Sequence, residues 1–428
     1  MSEDASKESK NPKKKKGLTD RLVPALLAAS VIVPLGMALN YALNVIVAQL
    51  LPVEGYGVFA YSQSLATLLA LVSSLGFSSS MMRFVAMYKA QNEVGLLGGL
   101  LRKSLCWIIA ATVLMIGGLL IIREFQQDDH GALLWAAVLL IPLTLDSWRE
   151  SAMRGLHRTT QAILPRQVLL PMFSVVVLLM VRPSETNTAM TIFVAIFVGL
   201  EIFGLYKMRG SFKFVISEVE KYASKIWIKT SVPMAFTQLA RQGINRWDVV
   251  MLGAFVGMDA VGPYAAAART ALLANVALRV VNLVVGPMLA ELYHSQQYRQ
   301  FRQLLVISSL ITGAVALPLY LVAVLKPESL LLLFGSDYKS GAVALQILVS
   351  GQFVNIATGP VGQALAMTKH EITNLKISVF GALVSLIGLF ILIPKFGLVG
   401  GAAATAFSTS IINVGACAAA FLFFRNLK

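Results

Sequence analysis

The chain has 428 residues, of which 57% are hydrophobic and only 13% are charged, and its formal net charge is +15. Soluble globular domains carry about 25% charged residues, so this composition excludes a water-soluble globular protein. The basic excess does not indicate nucleic-acid binding, because the Lys and Arg residues lie in short segments between long apolar runs, which is typical of membrane topology.

Apolar runs of about 20 residues recur from Leu22 to Phe424, and each is long enough for a helix to cross a bilayer. Strands of a membrane barrel would be about 10 residues long and would alternate in polarity, so these runs indicate helices. We therefore predict an all-α polytopic membrane protein with about twelve transmembrane helices. The predicted spans are Leu22–Leu51, Tyr56–Met82, Leu96–Ile122, Gly131–Ser151, Ala162–Val181, Thr188–Tyr206, Ile226–Phe255, Ala260–Leu289, Phe301–Leu325, Ser340–Met367, Ile372–Ile393 and Leu398–Phe424.

The basic residues are divided unequally between the two sides of these spans. Segments on the same side of the membrane as the N-terminus carry most of them. The opposite side carries only Arg123, Arg182, Lys326, Lys339 and Lys395. The positive-inside rule therefore places both termini in the cytoplasm. The predicted parts are a basic cytoplasmic N-terminal tail (1–20), an N-lobe of helices 1–6 (21–206), a cytoplasmic inter-lobe loop (207–225) and a C-lobe of helices 7–12 (226–428).

The chain also resembles itself at an offset of 205 residues. Leu51–Ala60 (LPVEGYGVFA) aligns with Val256–Ala265 (VGMDAVGPYA), and Asn40 aligns with Asn245. Chance similarity between two apolar segments is the alternative, but the loop features and the span spacing follow the same register. Six spans per half is an even number, so we expect two six-helix lobes related by an axis along the membrane normal, with a central cleft between them.

The stretch Ala48–Arg83 reads AQLLPVEGYGVFAYSQSLATLLALVSSLGFSSSMMR. It resembles the opening of polysaccharide-type flippases of the multidrug/oligosaccharidyl-lipid/polysaccharide exporter superfamily. These proteins have a polar-Gly-aromatic-Gly turn, followed by a helix that ends in Leu-Gly-Phe and an arginine. The second copy, Asp248–Leu273, resembles the same family in its Asp-x-x-x-Leu-Gly start, and the similarity in topology extends over nearly the whole chain.

This resemblance implies an O-antigen-type flippase. Such a protein moves undecaprenyl-pyrophosphate-linked oligosaccharides across the cell inner membrane for polysaccharide biosynthesis, as in the synthesis of lipopolysaccharide or exopolysaccharide. It implies alternation between inward-open and outward-open states, and coupling to a cation such as H⁺ or Na⁺. The implied partners are membrane lipids, the lipid-linked oligosaccharide, a polysaccharide polymerase and glycosyltransferases.

Charged residues within the spans point to the substrate site. A charge that faces lipid at mid-membrane costs about 2.5–3.5 kcal/mol, so an arginine there is a candidate functional residue. The seventh and eighth spans contain four of them, Arg241, Arg246, Arg269 and Arg279.

Two interpretations of these arginines remain open. They either pair with Asp248, Glu201, Asp146 or backbone carbonyls and hold helices together, or they line a water-filled cationic cleft. Asp248 is the only acid in the two spans, so the excess charge favours the cleft. A cationic cleft suits a diphosphate headgroup, because arginine binds phosphate oxygens through a planar fork.

Polar residues at helical spacing extend the candidate site. Asn245 follows Arg241 by four residues on the seventh helix, and Asn282 follows Arg279 by three on the eighth. Asn40 and Asn44 in the first span would form the opposite wall, although interhelical hydrogen bonds are the alternative role for both. The predicted substrate-binding residues are Arg241, Arg269, Arg279, Arg246, Asn245, Asn40, Asn44 and Asn282.

Acids in the N-terminal spans have two interpretations. Asp146 and Glu201 either carry a coupling cation or pair with Arg149 or Lys207, and the pairing is favoured because both lie near cytoplasmic ends of spans. The basic cluster Arg149, Arg154, Arg158 and Arg166 is interpreted mainly as a topology signal, with a second role in contacts to anionic lipid headgroups.

Three other functions were weighed against the flippase. A drug or cation exporter of the same superfamily needs deep carboxylates, and the first two spans contain none. A membrane glycosyltransferase or glycan polymerase needs a catalytic acid or a sizeable external loop, and the external loops here are short. A scaffold protein is a further alternative. No G-x-x-x-x-G-K-[ST] sequence occurs and the four histidines are scattered over different loops, so we expect no enzyme, cofactor or metal.

Overall fold

The computed structural model describes residues 18–126, 130–212, 219–368 and 370–425, and every regular element in these ranges is helical. The prediction of an all-α polytopic membrane protein is confirmed. Most of the predicted tail (1–17) and part of the predicted inter-lobe loop (213–218) lie outside the described residues. The first-half helices are α1 (Leu18–Leu50), α2 (Val53–Ser73), α3 (Phe77–Ala90), α4 (Val94–Gln126), α5 (Ala132–Gly155), α6 (Thr159–Leu164), α7 (Leu170–Val181) and α8 (Thr186–Ser211).

The second half begins with α9 and ends with a long kinked helix. A π-helical turn, Pro165–Leu169, joins α6 to α7 in the first half, and a 3₁₀ turn, Ser336–Gly341, precedes α14 in the second. The second-half helices are α9 (Ser224–Phe255), α10 (Met258–Leu273), α11 (Val276–His294), α12 (Tyr298–Leu325), α13 (Pro327–Leu331), α14 (Ala342–Thr358), α15 (Val361–Met367) and α16 (Glu371–Phe424).

The described helices group into twelve segments that are suited to cross a membrane. Among the described residues, ten helices are long and apolar enough for this, and one of them, α16, contains two crossings because its backbone breaks at Gly397. The more polar α9 has 32 residues, which is also enough to span a bilayer. Each predicted span is therefore helical, although boundaries differ: α8, for example, continues to Ser211 rather than ending at Tyr206.

Three predicted spans are interrupted instead of continuous. The second breaks between α2 and α3, where Leu75 and Gly76 have φ angles of 50° and 80°. The eighth breaks at Asn275, between α10 and α11, and the tenth breaks at Gly359 and Pro360, between α14 and α15. A glycine adopts a positive φ without the steric cost of a Cβ, and a proline lacks the N–H that a continuous helix needs.

The internal repeat is visible in the helix boundaries. α1 ends at Leu50 and α9 at Phe255, and α2 starts at Val53 and α10 at Met258. Both pairs are separated by 205 residues, which is the offset in the sequence alignment. Corresponding helices therefore begin and end at corresponding residues.

The contact between α2 and α10 has the symmetry of a twofold rotation. A Cβ atom on Gly57 would overlap the carbonyl oxygen of Met258, and one on Gly262 would lie 2.5 Å from the carbonyl oxygen of Val53. Gly57 and Val53 of one helix correspond to Gly262 and Met258 of the other at the offset of 205 residues, so the two contacts are equivalent. A twofold axis between the two halves produces such reciprocal contacts.

Helices α1 and α9 finish, and α2 and α10 begin, at the same end of the molecule. The two halves are sealed against each other there, and we call this region the closed end. Tyr338, in the 3₁₀ turn of the second half, donates a hydrogen bond to the carbonyl oxygen of Ala48 at 3.2 Å. Its ring also packs edge-on against Tyr56, with centroids 5.7 Å apart, and Phe334 packs against both rings.

A second inter-half contact lies between α3 and α9, toward the opposite end. The Trp227 indole N–H donates a hydrogen bond to the Tyr88 hydroxyl at 2.8 Å. The hydroxyl groups of Ser80 and Ser231, both fully buried, are hydrogen-bonded at 2.5 Å. We call this contact the α3–α9 seam. Between the closed end and this seam, the two halves separate around a cavity.

Candidate functional site

A cavity of about 520 Å³ lies between the two halves at mid-depth. Arg246 lies nine residues before the end of α9 and Arg269 eleven residues after the start of α10. At 1.5 Å per residue, both are about 15 Å along their helices from the closed end. The second half contributes to this cavity Gln242, Arg246, Arg269, Leu272, Leu273 and Arg279.

Three of the predicted arginines line this cavity without an acidic partner. Arg246, Arg269 and Arg279 come from α9, α10 and α11, so three helices direct guanidinium groups at one space. Among the described residues, none of the three forms an ion pair. The interpretation in which each pairs with a buried acid is therefore wrong for these three residues in the described part of the chain.

The first half adds a fourth arginine, Arg166, which the sequence analysis assigned to topology. Arg166 lies in the π-helical turn, and its guanidinium donates to Asp146 Oδ2 at 3.2 Å while it lines the cavity. Gly36 of α1 packs on this turn, since a Cβ there would lie 2.7 Å from the carbonyl oxygen of Gln167. π-Helical turns often occur at functional sites because the extra residue redirects a side chain.

The rest of the first-half wall combines apolar side chains with polar ones. It contains one acid, Glu150, whose carboxylate is 2.9 Å from the Arg154 guanidinium. The cavity thus has a cationic wall in the second half and a mixed wall of apolar and polar side chains in the first half. The first half contributes Val33, Gly36, Met37, Asn40, Tyr41, Gln63, Thr67, Leu139, Leu143, Glu150, Arg166, Gln167, Leu170, Phe193 and Phe197.

The structure divides the predicted asparagines between the cavity and the helix contacts. Asn40 lines the cavity. Asn44 is buried behind it, where it donates to the Asn40 backbone oxygen at 2.7 Å and accepts from the Tyr56 hydroxyl at 3.1 Å. Asn44 therefore has the interhelical role that was the alternative in the sequence analysis. Asn282 is not among the cavity-lining residues, and its buried Oδ1 has no described hydrogen-bond partner.

Two charged residues near the middle of α9, Arg246 and Asp248, have different surroundings. Asp248 points away from the cavity into the second half, where its Oδ2 accepts hydrogen bonds from Tyr264 at 2.6 Å and Thr405 at 3.3 Å. Arg246, two residues earlier on α9, lines the cavity. The side chains of Arg241 and Asn245 lie outside the described part of the chain, so their positions as site residues stay predictions.

A buried ionic cluster lies behind the first-half wall. Arg149, with 1% of its side chain exposed, donates to Asp146 at 2.5 Å and to Glu201 at 2.9 Å. Gly204 on α8 makes room for the guanidinium, because a Cβ there would lie 2.8 Å from Arg149 Nε. The predicted pairing of Asp146 and Glu201 with Arg149 is confirmed.

Sequence reasoning did not identify Arg166 or Glu150 as cavity residues. The available signal was the pair of prolines, Pro165 and Pro171, on either side of Arg166 within one apolar run. Proline interrupts the helical hydrogen-bond ladder, so the direction of Arg166 departs from that expected on a regular helix. No group of three or more His, Cys, Asp or Glu residues suited to a metal ion occurs in the described ranges.

Known proteins with similar structures share this fold. An inward-facing multidrug resistance MATE family transporter of the MOP superfamily aligns with a TM-score of 0.72 at 14% identity, over 94% of this chain and 98% of its own. At this identity the likeness establishes the fold alone. The family model described as MatE matches residues 233–391.

Among curated proteins, the chain is 26% identical over 220 residues to a probable flippase, AglR, of Haloferax volcanii. That match covers 50% of this chain and 44% of the relative, so it spans less than half of the relative's length. An uncharacterized membrane protein of Methanocaldococcus jannaschii, MJ1068, is 23% identical over 93% of this chain and 82% of its own.

The family model described as polysaccharide biosynthesis protein matches residues 26–293, which is more than half of the chain. This range contains α2 and α10, whose sequences carry the resemblance described above. It also contains the arginines of the cavity wall. Together with the long apolar helices, the match shows a multi-pass membrane protein with the fold of the MATE family transporter above. The chain belongs to the polysaccharide biosynthesis protein family.

Proposed function

We propose that this protein is a flippase that moves lipid-linked oligosaccharides across a membrane by alternating access through the cavity. The observation that carries the proposal is the convergence of Arg246, Arg269 and Arg279 on one cavity of about 520 Å³ with no acidic partner among the described residues. Unpaired positive charges on this cavity wall require compensation, because an isolated charge in a membrane interior is costly. A diphosphate between glycan and lipid supplies that compensation.

The chemistry of arginine favours phosphate over other anions of similar charge. Its planar guanidinium donates two parallel hydrogen bonds to neighbouring phosphate oxygens and stays charged at any physiological pH. The cavity volume of about 520 Å³ is in the ordinary range for ligand sites, about 300–1,000 Å³. It accommodates a diphosphate and the first sugars of a glycan, while the lipid tail remains in the bilayer.

A drug or cation exporter is the second candidate within the superfamily. A cationic cargo requires an unpaired carboxylate on the cavity wall. Among the described lining residues the one acid is Glu150, and Arg154 already compensates it. The wall charge therefore favours an anionic substrate.

The proposed orientation follows from the distribution of basic residues. With both termini in the cytoplasm of the inner membrane, the closed end faces outward, and the cavity receives substrate from the cytoplasmic side. The lobe limits of the sequence analysis, 21–206 and 226–428, belong to the same proposal. A coupling cation, surrounding lipids, a polysaccharide polymerase and glycosyltransferases are the proposed partners.

The test is glycan export in cells that carry single substitutions at matched protein level. Arg269→Gln and Arg279→Gln should each reduce export about tenfold or more, because a charged hydrogen bond contributes about 1.5–3 kcal/mol. Arg269→Lys should reduce it less, because charge is kept and the fork is lost. Arg241→Gln tests the predicted residue whose side chain is not described.

Arg123→Gln is the matched control. It removes one positive charge from an arginine at the end of α4 that does not line the cavity. Export should stay at the wild-type level with this variant. Full export by the triple variant Arg246→Gln, Arg269→Gln and Arg279→Gln would contradict the proposed function.

A further inference from the structure

Arg166 belongs to two environments at once. Its guanidinium lines the cavity with 31% of the side chain exposed, and it also forms an ion pair with Asp146, which is fully buried. Asp146 has a second partner, because its Oδ1 is 2.5 Å from Arg149. Arg149 is also bound to Glu201, so its single positive charge cannot neutralise both carboxylates. Among the described lining residues, the one acid on the cavity wall is Glu150, which is paired with Arg154.

The charges around Asp146 balance only while Arg166 takes part. α5 supplies Asp146, Arg149, Glu150 and Arg154, and the packed neighbours supply Glu201 from α8 and Arg166 from the π-helical turn. Within the described part of the chain, three acids face three arginines in this cluster. If Arg166 turns to a ligand in the cavity, one uncompensated negative charge stays on carboxylates that are 0% and 4% exposed.

A buried cluster of carboxylates relieves one excess negative charge most simply by taking up a proton. Arg149 already occupies Oδ1 of Asp146 and both oxygens of Glu201. The oxygen that Arg166 releases, Asp146 Oδ2, is therefore the acceptor site. A proton needs no coordination shell, so it fits where a hydrated metal cation does not.

We propose that Arg166 is exchanged between Asp146 and the anionic group of the substrate, and that the Asp146–Glu201 carboxylates bind one proton when the exchange occurs. This inference rests on the proposed function, because it assigns a fourth phosphate ligand and a proton site to the same cavity. Substrate and proton then bind together. Affinity for the substrate rises as the pH falls, and the proton that stabilises the loaded state comes from the compartment that the cavity faces.

The first experiment needs no ligand. Infrared difference spectroscopy of the purified full chain at neutral pH should show a protonated carboxylic acid band in Arg166→Gln and no such band in wild type. The band should disappear when Asp146→Asn is added to Arg166→Gln, because the cluster is then neutral again. A spectrum of Arg166→Gln without the band would overturn the proton site.

The second experiment uses farnesyl diphosphate as the probe, with calorimetric titrations at pH 8 in two buffers of different ionisation enthalpy. Wild type should take up about one proton more per bound probe than Arg166→Gln, since proton changes on the probe itself are common to both. As the pH rises above neutral, each pH unit should lower the affinity of wild type for the probe about tenfold relative to the affinity of Arg166→Gln. Equal proton uptake by the two proteins would overturn the exchange.

Two further variants separate a ligand role from a structural one. Asp146→Asn leaves Arg166 free in the cavity, so it should bind the probe at least as tightly as wild type and take up about one proton fewer than wild type. Arg269→Gln should weaken binding about tenfold or more without changing the proton count. If wild type does not bind farnesyl diphosphate at all, the proposed function fails and the exchange fails with it. Binding with an unchanged proton count defeats the exchange alone.

Discussion

At the scale of single residues, Arg149 shows how this protein keeps charge inside a membrane. It is almost fully buried and is held by Asp146 and Glu201 on two different helices. Removing one member of a buried ion pair leaves a charge without compensation, and this costs far more than removing a surface pair. The loss here would leave Glu201 without its partner and Asp146 with Arg166 alone.

We predict that Arg149→Leu lowers the free energy of unfolding by about 3–5 kcal/mol. Adding Glu201→Gln should recover part of the loss, because one uncompensated charge disappears. Thermal unfolding of the detergent-solubilised protein measures both. The control is Arg154→Leu on the same helix, where the side chain is 41% exposed and its pair with Glu150 contributes about 0–1 kcal/mol. Equal losses for the two arginines would contradict this account of the cluster.

The candidate site was only partly predictable at this scale. Local spacing sufficed for Arg246, Arg269 and Arg279, because a charge deep in an apolar run signals a polar environment wherever the helix packs. Arg166 lies in an equally apolar run, but its meeting with Asp146 depends on how α5 packs against the π-helical turn. No sequence pattern within either segment encodes the distance between Arg166 and Asp146. The sequence therefore indicated only a topology signal for Arg166.

At the scale of elements, glycines set the distance between α2 and α10. The two helices touch at Gly57 and Gly262, and neither glycine has room for a Cβ atom. A Cβ on Gly57 would overlap a carbonyl oxygen of α10, and a Cβ on Gly262 would press on α2. The two elements therefore meet backbone to backbone at the closed end. Neither neighbour can move out of the way without moving a helix.

We predict that Gly57→Ala and Gly262→Ala each lower the free energy of unfolding by about 1–3 kcal/mol, as overpacking does in other tight contacts. Thermal unfolding is the measurement. Gly117→Ala in α4 is the control, since no atom lies within 4 Å of the added Cβ, and alanine is the better helix former there. If all three variants unfold at the same temperature, the close approach has no energetic importance.

The helix breaks show the limit of prediction at this scale. The run of apolar residues predicted that each span is helical, but not that the second, eighth and tenth would be divided. Gly76 and Pro360 are recognisable breakers. Asn275 follows Ala274 without either residue type, and its side chain instead donates to Gln352 at 2.7 Å across to α14. That break depends on a tertiary contact, so local propensity could not reveal it.

At the scale of the whole molecule, the sequence offset of 205 residues predicted the relation between the halves. The matched helix ends and the reciprocal contacts of α2 and α10 agree with that prediction. The depth and shape of the cavity could not be predicted, because they depend on where two lobes touch rather than on either lobe alone. The side of the membrane that each end faces stays a prediction from charge.

We predict that reporter domains fused after Pro52, Asp128 and Glu328 are external, and that fusions after Lys89 and Lys213 are cytoplasmic. The reason is the excess of Lys and Arg on one side of the spans, which sets orientation in short loops. Reporter activity on intact cells distinguishes the two sides. A reversed pattern would place the closed end in the cytoplasm and would contradict the proposed direction of transport.

The last prediction concerns how the halves move. Alternating access requires the closed end to open while the cavity closes toward the other side, and rigid lobes achieve this by rotating about a remaining contact. The α3–α9 seam, with its buried Ser80–Ser231 and Trp227–Tyr88 hydrogen bonds, is the contact best placed to remain.

Spin labels test this with two pairs of positions in a chain whose Cys106 and Cys417 are replaced by serine. Thr188→Cys with Asp337→Cys reports on the closed end, and Lys89→Cys with Lys225→Cys reports on the α3–α9 seam. All four positions are exposed. During turnover the first pair should gain a longer distance population, because the aromatic contact between Tyr56 and Tyr338 has to part.

The second pair is the internal control for that motion. Its distance should change less than that of the first pair, since the seam acts as the pivot. A longer population at the seam with no change at the closed end would show that the lobes rotate about the closed end instead. The Gly57–Met258 and Gly262–Val53 contacts would then be the permanent link between the halves, and the α3–α9 hydrogen bonds would be the gate.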